Sequence, residues 1–196
     1  MAKSRLVPGI YPAGHRLRIN GMKATSALQL TFRELTEHDA SAVLVLVGSV
    51  LEAAETTITS REEFVIEEEQ ERTLLRSFQK SACNLALGAF HDGRLVGVLF
   101  MEQLPKRRNR HRATLGMSVD PSMWGQGIGS NLLQVLLGMP EALRCFEQLE
   151  ASVLSNNPAS LRIMKSARFQ PIGTVPNAVL LNGTSIDETF FVLKLQ

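Results

Sequence analysis

A glycine cluster in the second half of the sequence has the spacing of an anion-binding loop. Gly125, Gly127 and Gly129 follow a segment that alternates like a strand, and an apolar helical pattern comes directly after them. Where a loop enters a helix, the first backbone N–H groups have no intrahelical acceptor, and their partial positive charge attracts an anion. Glycines remove the side chains that would keep a phosphate at a distance. The stretch from Gly125 to Ser130 therefore predicts a cradle for a pyrophosphate.

Two other nucleotide-binding loops share part of this pattern, and neither fits. Gly127-Ile128-Gly129 begins the G-x-G-x-x-G pattern of a dinucleotide fold, but the position of the third glycine is Leu132. A P-loop is excluded because the segment 125–130 lacks the Lys-Ser/Thr ending. A glycine-rich helix entry without a ligand is the alternative that these residues alone leave open.

The first half of the chain supplies helices to support such a loop. The segment 28–35, LQLTFREL, alternates like a strand, and the residues at 36 and 39 form a capping pair for a first helix. Ser60 and Glu63 repeat this capping spacing and predict a second helix that ends near Lys80.

The rest of the sequence is dominated by strands and tight turns. Asp92-Gly93 and Asn182-Gly183 are dipeptides that favour two-residue hairpin turns. Strands are predicted at 84–90, 94–104, 113–119, 148–154, 169–175 and 184–195, with a short helix at 158–167 that has proline at its start. This order predicts an α+β fold, with helices around a mixed, mostly antiparallel sheet.

Composition limits the number of domains and the class of partner. A chain of 196 residues is long enough for one domain, which we assign to residues 27–196, and residues 1–26 form a basic Gly/Pro-containing extension that we expect to be flexible. The formal net charge of +2 gives no global attraction to nucleic acid. We therefore expect no nucleic-acid partner. No apolar run is long enough to span a bilayer, so we also expect no membrane partner.

The cysteines predict the redox compartment. Cys83 and Cys145 lie far apart in the sequence, without Cys-x-x-Cys spacing or neighbouring histidines. Two buried, reduced thiols are therefore predicted, in a cytoplasmic protein without a metal site.

Three separate segments resemble motifs of one family, the GNAT superfamily of acyl-CoA-dependent N-acetyltransferases. Residues 117–133, MSVDPSMWGQGIGSNLL, resemble its acetyl-CoA motif, usually written Gln/Arg-x-x-Gly-x-Gly/Ala. Residues 149–169 resemble the following motif of strand, Asn and short helix, and residues 171–195 resemble the end of such a chain. The likeness spans Leu28 to Leu195. It implies a GNAT-like α+β fold, with the acyl-CoA cleft between two splayed central strands.

The resemblance implies roles for the glycine loop and for the strand before it. The loop amides would bind the pyrophosphate of acetyl-CoA, helped by the dipole of a helix that begins near Ile128. Met117 and Val119 would pair through their backbone with the pantetheine arm, as an added strand does. Asn157 matches the family residue that contacts this arm or a linked water, and an Asn before Pro158 also suits a helix cap. The implied cofactor-binding residues are Met117, Val119, Trp124, Gly125, Gln126, Gly127, Ile128, Gly129, Ser130, Asn157 and Ser160.

Two positions depart from the family pattern. Trp124 stands at the Gln/Arg position, where the binding is done by backbone groups. Met164 stands where many members carry a Tyr that protonates the leaving thiolate, and methionine has no proton to donate. The nearest hydroxyl on that helix belongs to Ser160, four residues earlier and on the same face.

Acylation of an amine requires the uncharged form, so a general base assists when the acceptor enters as an ammonium ion. Glu102 lies where some members of the family carry such a base, so the resemblance implies that it is the catalytic base, and the alternative is a solvated carboxylate at a strand end. Asp187, Glu188 and His111 are further candidates.

The residues and the resemblance together predict acetyl transfer from acetyl-CoA to a primary amine of a small molecule or peptide, by direct attack. Proximity and polarisation of the thioester carbonyl by a strand amide would supply most of the rate. A homodimer is compatible with this interpretation. The alternative is a non-catalytic acyl-CoA-binding regulatory domain.

Overall fold

The computed structural model describes residues 28–195, which form one seven-stranded sheet in the order β1-β2-β3-β4-β5-β7-β6 with five α-helices. The predicted extension, residues 1–26, lies outside the described residues. The strands are β1 Leu30–Glu34, β2 Leu85–His91, β3 Arg94–Gln103, β4 Arg112–Val119, β5 Gln148–Leu154, β6 Gln170–Leu181 and β7 Thr184–Lys194. The helices are α1 Ala40–Ala53, α2 Glu68–Lys80, α3 Ile128–Leu137, α4 Pro140–Leu143 and α5 Pro158–Ser166.

The sheet is antiparallel except at its centre, which confirms the predicted fold class. β4 and β5 run parallel and pair only between residues 112–114 and residues 148–150. Past these three pairs the two strands separate, and each stays bonded only to its outer neighbour, β3 or β7. The centre of the sheet is therefore split toward the carboxyl ends of β4 and β5.

The helices cover both faces of the sheet. Because successive side chains of a strand point to opposite faces, Val98 packs in the core under α1 and α2, and Leu99 packs in the core under α3. Gly97 lets α3 approach β3 closely, since a Cβ there would lie 2.9 Å from Cγ2 of Ile128 and 3.0 Å from Cδ1 of Leu132. This contact fixes the start of α3 against the sheet.

No helix within residues 28–195 is both long and apolar enough to cross a membrane.

The second helix begins later than predicted. Ser60 and Glu63 do form the reciprocal capping bonds, with the amide of Ser60 donating to Glu63 Oε2 at 2.8 Å. They close only a single turn, because the apolar run that follows has no helical periodicity, and a second capping pair at Glu67 and Gln70 starts α2 at Glu68. The residues between 54 and 67 are consequently a loop, which we call the α1–α2 loop.

The prediction of two reduced thiols is wrong in this structure. Cys83, between α2 and β2, and Cys145, after α4, are joined in a disulfide with a Cα–Cα distance of 5.7 Å. Their separation of 62 residues in the sequence gave no indication of a pair, since the fold alone brings the two loops together.

Glu71 of α2 is a buried carboxyl group that predicts a pH-dependent stability. Its side chain is 5% exposed, its Oε1 has no hydrogen-bond partner among the described residues, and burial raises its pKa. A pKa raised in the folded state means that stability falls as pH rises through the interval between the unfolded and folded values.

Glu71→Gln should therefore stabilise the protein above this interval and have little effect below pH 4, where both states are protonated. Relief of an unpaired buried charge is on the order of 1 kcal/mol, or about 2–4 °C in Tm for a chain of this size. Thermal unfolding at pH 4 and pH 8 measures the difference. An equal Tm change at both pH values would contradict this account.

Candidate functional site

The split in the sheet opens a cleft of about 820 Å³, which we call the first cleft. It is lined by the end of β4, by the glycine loop, by the first turns of α3 and α5, and by the residues that follow α1. Every residue that the sequence predicted for the cofactor lines it, except Gln126. The side-chain amide nitrogen of Gln126 lies 3.7 Å from Met123 Sδ.

The N-terminus of α3 presents unpaired amides to the first cleft. Gly127 is the N-cap residue, with φ of 78°, and no side chain caps the helix. The first helical bond runs from the amide of Asn131 to the carbonyl of Gly127 at 2.9 Å. Among the described residues, no acceptor is found for the amides of residues 128–130. The helix end therefore has the donors and the partial positive charge of an anion site.

Gly129 lets this helix end lie against both walls of the cleft. A Cβ at this position would lie 3.0 Å from Cδ1 of Ile163 on α5 and 3.3 Å from Sδ of Met117 on β4. These distances are tighter than ordinary van der Waals contact. A side chain here would require the ends of the Ile163 and Met117 side chains to move by a few tenths of an ångström.

The backbone of β4 faces the first cleft at alternate residues. The carbonyl of Arg112 and the amide of Asp120 are both bonded to the β3 side, each at 3.0 Å. Because backbone polar groups alternate in direction along a strand, those of Met117 and Val119 point away from β3, toward the split. The indole Nε1–H of Trp124 donates to the carbonyl of Val119 at 2.7 Å. The amide and carbonyl of Met117 and the amide of Val119 are therefore directed toward a ligand in the first cleft.

Asp120 anchors the turn from β4 into the glycine loop. Its Oδ1 accepts the backbone amide of Ser122 at 2.8 Å, and its other oxygen pairs with Arg94. Partial burial opposes ionisation, but these bonds and the guanidinium hold the pKa of Asp120 below its ordinary value. A permanent carboxylate therefore fixes the point where the loop begins.

The start of α5 forms the opposite wall. Asn157 Oδ1 accepts the backbone amide of Ser160 at 3.0 Å, so Asn157 caps the helix and Pro158 occupies its first position. Asn157 and Ser160 also line the cleft, so the capping and ligand-facing placements hold together.

A second cleft of about 370 Å³ adjoins the first. Its walls are α1, the α1–α2 loop, the end of β5, and Glu188 of β7. The two clefts share Thr56, Thr57, Met117, Asn157 and Ser160, so they meet where β4 and β5 separate. The arrangement suits a reaction between two molecules that enter from different sides.

The candidate bases lie in different places. Glu188 stands opposite Leu154 at the end of β5, and it lines the second cleft. Glu102 pairs with Thr114, where β4 and β5 are still hydrogen-bonded, and it lines neither cleft. The structure therefore does not bring Glu102 together with the other predicted residues.

The remaining candidates also lie outside the junction of the clefts. Asp187 Oδ1 accepts the backbone amide of Asn177 at 2.9 Å within the β6–β7 hairpin, and His111 is exposed beside β4. Met164 is buried, and it lines neither cleft.

The α1–α2 loop and Arg162 are parts of the site that were not predicted from the sequence. Arg162 is exposed on α5 and lines the first cleft, two residues after Ser160. The sequence did indicate that Arg162 lies on a short helix that begins at the predicted cleft, and this could have identified it. The α1–α2 loop was not predicted because its capping pair, Ser60 and Glu63, indicated a helix instead.

Comparisons with known proteins agree with this geometry. A family model described as the acetyltransferase (GNAT) family matches residues 51–168. The L-amino acid N-acetyltransferase AaaT of Escherichia coli (strain K12) is 27% identical over 96 residues, which cover 49% of this chain and 59% of that relative. The chain thus matches about three fifths of the length of this curated relative.

Solved structures show the same fold. A GNAT-family acetyltransferase from Streptococcus pneumoniae has a TM-score of 0.80 and 21% identity, covering 85% of this chain and 99% of that one. The yncA protein from Salmonella typhimurium, solved with its cofactor acetyl-CoA, has a TM-score of 0.76 and 21% identity, covering 85% and 94%. A ribosomal-protein-alanine N-acetyltransferase from Brucella melitensis has a TM-score of 0.73 and 25% identity, covering 84% and 99%.

Proposed function

Because the chain belongs to the acetyltransferase (GNAT) family, we propose that it transfers an acetyl group from acetyl-CoA to a primary amine. The observation that carries the proposal is the junction of the two clefts at Met117, Asn157 and Ser160. One cleft offers an anion cradle and free strand amides, and the other offers a carboxylate. A thioester and an amine entering from the two sides would meet at this junction.

The residues of the first cleft fit the chemical groups of acetyl-CoA. The amides of residues 128–130 would hold the pyrophosphate, and the exposed guanidinium of Arg162 would add a positive charge beside it. Met117 and Val119 would pair with the amides of the pantetheine arm, as an added strand. When bound, acetyl-CoA supplies an activated acetyl group, and everything else is supplied by the chain.

Three groups of the chain would then assist the transfer. A backbone amide of β4 would polarise the thioester carbonyl. Glu188, in place of Glu102, would accept the proton that the ammonium group loses before it attacks. The hydroxyl of Ser160 lies at the junction and would donate a hydrogen bond to the departing thiolate, which Met164 cannot do.

Binding of the cofactor is the first testable consequence. Acetyl-CoA at about 100 times its Kd should raise the free energy of unfolding by about 2.7 kcal/mol, which is visible as a higher Tm. NAD and ATP should not produce this shift, because neither carries a pantetheine arm for the strand amides. Stabilisation by NAD alone would contradict the proposed site.

The same experiment has an independent readout within the cleft. Trp124 is the only tryptophan in the chain and lines the first cleft. Its fluorescence should therefore change on titration with acetyl-CoA, and the midpoint should agree with the thermal shift.

One observation favours a second candidate, a non-catalytic acyl-CoA-binding regulatory domain. Met164 occupies the position of the family acid, has no proton to donate, is only 5% exposed and lines neither cleft. Such a domain would bind acetyl-CoA in the first cleft and release no thiol.

A further inference from the structure

The lining of the second cleft carries information about the acceptor. We infer that the acceptor is a small apolar primary amine with no carboxylate beside its amino group, rather than a free amino acid. This inference rests on the proposed function, because it assigns the second cleft to the acceptor.

Half of the residues that line the second cleft are apolar, and the others, except Glu188, carry neutral hydroxyl or amide groups. Val47 and Leu51 face it from α1, Ile58 and Phe64 from the α1–α2 loop, and Leu154 from β5. Ile58 is 59% exposed, although it lies beside a cleft that an apolar group could fill. A volume of about 370 Å³ is at the small end of ligand sites. A hydrocarbon group in the cleft would remove the apolar side chains of its walls from water, which favours binding.

Charge in the second cleft has one sign. Glu188 is the only ionisable side chain among the described residues that line it, and no Lys, Arg or His of residues 28–195 does so. The carboxylate of an α-amino acid lies within a few ångströms of its amine. An amine held beside Glu188 would therefore bring a second carboxylate close to the first, with no lining cation to offset the repulsion.

Three basic side chains on elements that flank the second cleft are paired or lie outside it. The Arg61 guanidinium is bonded to the Glu52 carboxylate at 3.2 Å and to the carbonyl of Phe64 at 3.4 Å. Arg112 pairs with Glu150 at the closed end of the β4–β5 pair, and Arg162 lines the first cleft.

A contact between two loops bounds the junction of the clefts on one side. The β6–β7 hairpin turn meets the α1–α2 loop through Asn182, whose Nδ2 donates to Glu55 Oε1 at 3.2 Å. Asn156 Nδ2 donates to the backbone carbonyl of Glu55 at 2.6 Å. Thr56, the next residue, lines both clefts, so these contacts hold the β6–β7 turn and the start of α5 against the α1–α2 loop beside the junction.

The test compares acceptors that differ only in the carboxylate. With the full chain and acetyl-CoA, release of CoA thiol gives kcat/KM for phenethylamine against L-phenylalanine, and for isoamylamine against L-leucine. Each amine should exceed its amino acid by about 30-fold or more, and L-phenylalanine amide should recover most of the loss because it restores neutrality at the same size. Equal or faster acetylation of the amino acids, of a polar diamine or of a peptide N-terminus would overturn the inference.

A variant pair separates charge from shape. Ile58→Lys places a cation at the exposed edge of the second cleft, and Ile58→Met is the matched apolar control. The lysine should raise the L-phenylalanine to phenethylamine ratio of kcat/KM about tenfold, and the methionine should leave it unchanged. An unchanged ratio in Ile58→Lys would contradict the electrostatic argument. If no amine of any kind releases thiol, the proposed function fails and the inference falls with it, whereas turnover of amino acids alone leaves the proposed function standing.

Discussion

Gly127→Asp is expected to weaken the binding of acetyl-CoA by about 100-fold or more. Gly127 is the N-cap of α3, and open space surrounds the position of its missing Cβ. The carboxylate would occupy the cradle and meet the pyrophosphate at short range, and like charges about 4 Å apart at an effective dielectric constant of about 20 repel by roughly 4 kcal/mol. Titration of Trp124 fluorescence measures the affinity.

Two control variants separate the charge from the backbone cost. Gly127→Asn has nearly the same shape without the charge, so it should retain most of the affinity. Gly93→Asp imposes the same substitution at φ of 80°, also in open space but in the β2–β3 turn, and should bind normally. If Gly127→Asp binds acetyl-CoA as tightly as Gly127→Asn does, the pyrophosphate does not lie on the α3 amides.

Glu188→Gln is expected to lower kcat/KM for the amine by about 100-fold, the scale of a lost general base. The amide has nearly the same shape but cannot take a proton from the ammonium group, so the loss should be greatest below neutral pH, where less free amine is present. A Lys-like amine has a pKa of about 10.4, and the rate of both proteins should rise with pH as the amine deprotonates. Acetyl-CoA affinity should not change, because Glu188 does not line the first cleft.

Glu102→Gln is the matched substitution outside the clefts. It changes the same functional group on β3, beside Thr114, and should leave kcat/KM within about twofold of the original value. The reverse result, with Glu102→Gln impaired and Glu188→Gln active, would show that Glu102 is the base, as the sequence predicted.

Local signals predicted the parts of the site that depend on backbone geometry. The glycine loop was predictable because positive φ, at 76° for Gly125 and 78° for Gly127, favours glycine, and a Cβ at Gly129 would crowd Ile163 and Met117. The two hairpins were predictable because Asp92-Gly93 and Asn182-Gly183 adopt the positive φ angles of tight turns. The α+β fold was predictable from the order of these hairpins and the helical segments.

Features that depend on distant segments were not predictable. The second cleft is formed by α1, the α1–α2 loop, β5 and β7, and no spacing in the sequence reveals that these elements converge. Glu188 and Glu102 are both polar residues on strands, and only the pairing of β5 with β7 distinguishes their positions. The Cys83–Cys145 disulfide was missed for the same reason.

The claim that acetyl transfer occurs at the junction of the two clefts is tested by measuring both products of the reaction. The full chain is incubated with acetyl-CoA and an amine, free CoA thiol is determined with a thiol reagent, and N-acetylated amine is determined by mass spectrometry. One molecule of acetylated amine is expected for each thiol released, in amounts that depend on both substrates and on Glu188. Tight binding of acetyl-CoA without thiol release, across a broad panel of amines and peptides, would contradict the claim and favour a regulatory acyl-CoA-binding domain.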